Sequence, residues 1–208
     1  MIRTFGVTLT LIPALLSAQG AGAAKTAPAQ ALTVRNTLTE AQQIASAVLP
    51  LPQEFRADAT VLGYRAGSTT LTVLRTGKGA FTCLASDPAQ SRFHVACYHN
   101  SLEPFMARGR ALRERGVKGD QVDTVRFAEI KAGKLVMPKQ PAALYQLTGP
   151  AGSYDAATNT AKGASALDVV YISGATTATT GLSDRPNAGP WIMYPGTPKA
   201  HIMLTPKM

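Results

Sequence analysis

His94, His99 and His201 are the only three histidines, set beside two cysteines, Cys83 and Cys97, and 12 acidic residues. Imidazole is the one side chain that ordinarily changes charge near neutrality, so a neutral-pH base must be sought among these three. The best metal combination is His99 with Glu103, joined from the last strand by His201, because ligands four residues apart on a helix share one face. Ser101 reads as an N-cap, however, which puts His99 ahead of the helix and removes the guarantee of that spacing. Paired carboxylates are sparser: Asp120 with Asp123 reads as charge matching a helix N-terminus, and nothing places Asp155 beside Asp168. G-x-S-x-G, S-x-x-K, H-E-x-x-H, C-x-x-C and the glycine-rich phosphate loops do not occur. No cofactor is implied. A hydrolase or metal-dependent enzyme using His99, Glu103 and His201 is therefore the second reading, behind a non-catalytic binding domain.

The cysteines point to oxidation rather than catalysis. Phe81 and Cys83 share one face of a strand-like run, and Phe93, Val95 and Cys97 share one face of the next, so both sulfurs point to the same core. An antiparallel hairpin across an Asp87-Pro88 turn sets them opposite each other as a disulfide. A metal site from Cys83, His94, Cys97 and His99 fails on direction, since His94 points away from Cys97. The N-terminus agrees with an oxidising destination. Arg3, an apolar run from Phe5 to Leu16 and small residues to Ala24 have the order of a secretory signal peptide, residues 1–24, too short in its apolar part to span a bilayer. Residues 25–36, rich in Ala, Thr and Pro, read as a flexible linker, leaving 37–208 as a single domain that is periplasmic or extracellular, with no transmembrane segment.

Surface chemistry supplies the binding candidates. The net charge is +9, and Arg108, Arg110, Arg113, Arg115 and Lys118 crowd one stretch, with Arg126, Lys131, Lys134 and Lys139 following. The arginines fall on both sides of an apolar stripe and read as a solvated border around a core helix. Aromatic interleaving for base stacking is missing, so nucleic acid is not expected as a partner. An anionic envelope component, a glycan or another protein is. The second candidate surface is Trp191 and Tyr194, beside a Pro- and Gly-rich edge and two long loops.

The elements that must hold these residues follow from periodicity. Thr39 with Gln42 forms a capping box for a helix over 40–49 ended by Pro50 and Pro52. Strands are expected at 59–65, 69–75, 80–85 and 92–99, paired as an antiparallel meander. A helix from Leu102 to Arg115 lies across the sheet and stops at Gly116, and a second runs from Asp120 to Lys131. Residues 143–148, 167–173 and 200–205 read as further strands, and the small-residue stretch from Gly149 to Ser165 as a mobile loop.

The stretches from Phe81 to Pro88, Tyr98 to Phe105, Ala143 to Gly149 and Gly196 to Leu204 together resemble a loose set of uncharacterised exported bacterial proteins. That resemblance implies export and a single domain, and no activity. The expected fold is α+β: an antiparallel sheet, curled towards a barrel, with one or two helices packed on it.

Overall fold

The computed structural model describes residues 1–2, 38–186 and 189–206. The chain divides into two units, Met1–Thr33 and Val34–Met208. Apart from Met1 and Ile2, the expected signal peptide and linker lie outside the described residues.

The second unit is α+β, built on one eight-stranded sheet. In chain order its elements are α1 (Glu40–Ala47), α2 (Gln53–Arg56), β1 (Thr60–Tyr64), β2 (Leu71–Arg75), β3 (Phe81–Leu84), β4 (Arg92–His99), α3 (Glu103–Glu114), α4 (Gln121–Lys131), β5 (Ala142–Pro150), β6 (Tyr154–Asp155), β7 (Thr160–Ala161), β8 (Ser165–Tyr171), α5 (Thr177–Thr180), β9 (Trp191–Met193) and β10 (His201–Leu204). The strand order is β2-β1-β3-β4-β5-β8-β10-β9, with β2 and β9 at the two ends. The sheet is therefore open and does not close into the expected barrel.

The first four strands also depart from a meander. β1 and β2 form the expected hairpin, but β1 then pairs with β3 in parallel, Val61 beside Cys83. Asp58 is what anchors the crossover: its carbonyl accepts from the Gly79 amide at 2.7 Å, and a Cβ at Gly77 would stand 2.1 Å from that same oxygen. Only glycine allows so close a backbone approach. β3 and β4 pair antiparallel with Cys83 opposite Cys97, and the two are joined by a disulfide.

Alternation along β4 divides the molecule. Phe93, Val95, Cys97 and His99 face one side. There α1 packs Ala47 and Val48 over Val61, Cys83 and Cys97. Tyr98 faces the other side, where it joins Leu102, Phe105, Val169 and Tyr171 beneath α3 and α4. The capping box of Thr39 and Gln42 starts α1 as expected. Ser101 does not cap α3. It sits in a 3-10 turn, Asn100–Leu102, where the His99 side chain accepts from its amide, and Pro104 in the first turn of α3 needs no partner for a missing N–H.

The stretch from Gly149 to Ser165 is not a loose loop. β6 and β7 pair as a small hairpin, and Tyr154, Ala161 and Ala164 pack on Phe93 and Val95. Tyr154 is the only aromatic in that stretch, and burying its ring offsets the entropy of ordering so many small residues.

Candidate functional site

The three proposed metal ligands are held apart by the sheet. The His99 ring meets the Phe81 ring edge-on, 5.7 Å between centroids, on the α1 side. Glu103 lies on the other side, accepting from the Tyr98 hydroxyl and from Arg110 at 2.6 Å. His201 shares that second side, its ring 4.8 Å from Tyr171, but sits on β10, three ladder steps from Tyr98 and so on the order of 14 Å away. Among the described residues no group of three or more His, Cys, Asp or Glu could hold a metal ion. The i, i+4 argument fails because His99 ends a strand.

The arginines divide by role. Arg108 forms a two-pronged pair with Glu129, and Arg110 bonds both Glu103 and the Tyr98 oxygen at 2.7 Å. These guanidinium groups hold α3 to α4 and to the sheet. Burial and the bond to Glu103 push the Tyr98 hydroxyl well above the usual phenol range, so it stays protonated between them. Arg113 and Arg115 remain exposed. Arg126, one of the basic residues that follow that stretch in the sequence, is buried. Its guanidinium lies 3.7 Å over the Phe105 ring, donates to the Phe105 carbonyl at 3.1 Å, and pairs with Asp123. Gly109 leaves the room for it, since a Cβ there would stand 2.9 Å from the Arg126 Nη1.

Trp191 is half-buried on β9 across from Met203, whereas Tyr194 is exposed and stands beside Lys199 and His201. His201 bonds the Lys199 carbonyl through Nδ1 at 2.7 Å. Burial holds its imidazole below the ordinary value of 6.5, outweighing the bond to the Lys199 carbonyl that favours the protonated ring, with the Lys199 charge adding a smaller push downward; burial with Arg92 lowers His94 as well. Both rings are neutral when folded and would gain protons on unfolding, so stability is full above about pH 6.5 and declines as pH falls below it. Melting temperatures are expected to drop between about pH 7 and about pH 5.5, less steeply in His201→Gln. A profile flat across that range would exclude this coupling.

A concave site exists elsewhere, on the α1 side. A cleft of about 550 Å³ opens between the β3–β4 turn and the β5–β6 turn, floored by Phe93 and Tyr154, with Leu38 and Pro88 also lining it. That is the size of a small-ligand pocket. The Phe93 and Tyr154 rings run nearly parallel, 9° apart with centroids at 6.4 Å. The polar groups of the lining are mostly engaged. The Gln43 amide donates to the Tyr64 carbonyl at 2.8 Å and its oxygen accepts from the Tyr64 amide at 2.8 Å, so it ties α1 to β1. Ser86 accepts from the His94 amide at 3.0 Å, and Asp87 accepts from the Ala89 amide at 2.8 Å.

Arg92 is the exception: it is exposed at the cleft, and its side chain makes no hydrogen bond or ion pair with any other described residue. An apolar, aromatic floor and a guanidinium unpaired among the described residues, set against an Asp87 carboxylate that already accepts from the Ala89 amide, suit a ligand with an apolar body and an anionic group. A second cleft of about 460 Å³ lies across the sheet, with Arg110, Arg113, Asp87 and Glu114 in its lining; Arg110 there is already engaged by Glu103 and the Tyr98 oxygen, and no aromatic pair floors it.

No protein-family model, curated protein or solved structure matches the chain.

The cleft was beyond sequence reasoning because its walls come from residues 38–43, 86–93 and 151–154. The signal that existed was Tyr154, a lone aromatic in a run of small residues.

Proposed function

We propose that this is an exported, non-catalytic binding domain whose ligand is a small amphipathic anion, held by its apolar part against Phe93 and Tyr154 and by its charge on Arg92. The observation that carries this reading is the conjunction, in one pocket-sized cleft, of a stacked aromatic floor and an arginine without a partner among the described residues. The internal disulfide fits a periplasmic or extracellular destination, where such bonds persist. No helix among the described residues is long and apolar enough to cross a membrane. The separation of His99 from Glu103 and His201 leaves the enzymatic reading without a shared site.

Decanoate, with decanol as its neutral counterpart, tests the assignment by calorimetric titration. Decanoate is expected to bind at least about tenfold more tightly than decanol. Tyr154→Ala and Arg92→Gln should each weaken it by about tenfold, the latter also removing most of the salt dependence. Equal binding by both variants and the parent, or hydrolytic turnover lost in His99→Ala, would overturn the proposal.

A further inference from the structure

A second feature of the α1 side lies at the other end of β4, away from the cleft. The register lines up Cys83, Cys97, Tyr145, Asp168 and Leu204 across five adjacent strands, all on this face. α1 covers the cysteine end of that row. From Tyr145 onward Ala143, Ala166, Val170 and Ile202 are only half-buried and Leu204 is exposed. Three aromatic rings gather at the boundary. Phe55, 40% exposed on α2, has its centroid 5.0 Å from that of Phe81, and Phe81 stands 5.9 Å from Tyr145 at an angle of 56°. The rings are mutually tilted; Phe81 is buried beneath the other two, and Phe55 and the half-buried Tyr145 carry the exposed part of the cluster.

Asp168 is the directly opposed cross-strand neighbour of Tyr145. Its carboxylate forms no ion pair or hydrogen bond with any other described residue, although the chain carries 21 lysines and arginines. Burial holds its carboxyl above the ordinary value, with no cation offsetting that shift. The charges that act on the Tyr145 hydroxyl are those of Asp168 and Glu54, both acidic, and after burial they raise it further. A partly desolvated carboxylate beside aromatic faces is an unfavourable arrangement unless a cation completes it.

We propose that Phe55, Tyr145 and Asp168, with Phe81 packed beneath the two rings, form a binding site for an organic ammonium cation of the trimethylammonium class. A metal ion is a poor match, since one carboxylate offers too few oxygens. A lysine-like ammonium is more strongly hydrated and gains less from aromatic faces than a cation with methyl groups on nitrogen. The cation sits over Tyr145 and Phe55 and beside Asp168, with Glu54 adding long-range attraction. The site is independent of the Phe93–Tyr154 cleft and takes the opposite charge.

The test is an NMR titration of the full domain with choline chloride, with sodium chloride at equal ionic strength and the neutral isostere 3,3-dimethylbutanol as controls. Choline is expected to shift resonances of residues 54–55, 81, 145 and 168 with a dissociation constant on the order of 1 mM, and the isostere to bind at least about tenfold more weakly. Asp168→Asn should weaken choline by about tenfold, and Phe55→Ala, at an exposed position that leaves the core intact, by about threefold. Sedimentation with phosphatidylcholine vesicles then separates the sources. Pelleting that Asp168→Asn abolishes identifies a lipid headgroup, and no pelleting alongside choline binding identifies a free cation. Equal shifts from the isostere or from sodium, or unchanged choline affinity in Asp168→Asn, would overturn the proposal.

Discussion

Replacing Arg126 by alanine is expected to destabilise the folded protein by about 3 kcal/mol, because it strips a buried guanidinium from three partners at once. That side chain stacks on Phe105 of α3, donates to the Phe105 carbonyl, and pairs with Asp123 one turn earlier on α4. Asp123 in turn accepts from Lys199 at 2.8 Å, so the same cluster ties both helices to the segment leading into β10. Burial alone would raise the Asp123 carboxyl. Bonds from Lys199 and Arg126 hold it below its ordinary value instead. Removing Arg126 leaves that carboxylate with one cation, leaves the Phe105 carbonyl without that bond, and opens a void over an aromatic ring. For a domain of this size the loss corresponds to a melting temperature lower by about 6–12 °C. Arg126→Met keeps the volume and the contact with Phe105 and should cost about half as much. A melting temperature within about 1 °C of the parent in Arg126→Ala would show that the cluster is not a structural anchor.

Breaking the disulfide should have a comparable effect. Cys83 and Cys97 are fully buried, 14 residues apart in sequence and opposite each other across β3 and β4. On the chain-entropy estimate, a closed loop of that length stabilises by about 3 kcal/mol, by restricting the unfolded chain. The Cys83→Ala, Cys97→Ala double variant also loses two buried sulfurs beneath Ala47, so its deficit should reach or exceed that figure. Denaturant unfolding of parent and variant checks this. Midpoints that coincide would mean that α1 packing and the β4–β5 ladder already hold the hairpin without the bridge.

The features legible in the sequence are those made by neighbours along the chain. Thr39 and Gln42 announce α1, the spacing of Phe81, Cys83, Phe93, Val95 and Cys97 announces the bridged hairpin, and Gly116 and Gly133 mark the ends of α3 and α4. What escaped depends on contacts between distant segments. Parallel pairing of β1 with β3 has no local signature, because either neighbour of β1 satisfies the same apolar alternation. Arg126 looks like a surface cation until Phe105 and Asp123 are brought to it. Residues 191–193 form an outer strand only because β10 lies between them and β8. The candidate site suffers most from this. Phe93 announces a core face, but nothing in its neighbourhood shows that Tyr154 stacks on it or that Arg92 is left open at the resulting cleft. The same limit explains the failed grouping of His99, Glu103 and His201. Sequence spacing ranks residues on one element, and a sheet interposed between elements reverses the ranking.

The cleft reading is tested most directly by mapping amide shifts across the domain during titration with decanoate. The expected result is a set of saturating shifts concentrated in residues 86–93 and 151–154, displaced little elsewhere and saturating only at about tenfold higher decanoate in Tyr154→Ala. Saturating shifts centred on another surface, or none at millimolar decanoate, would contradict a ligand site between those two turns.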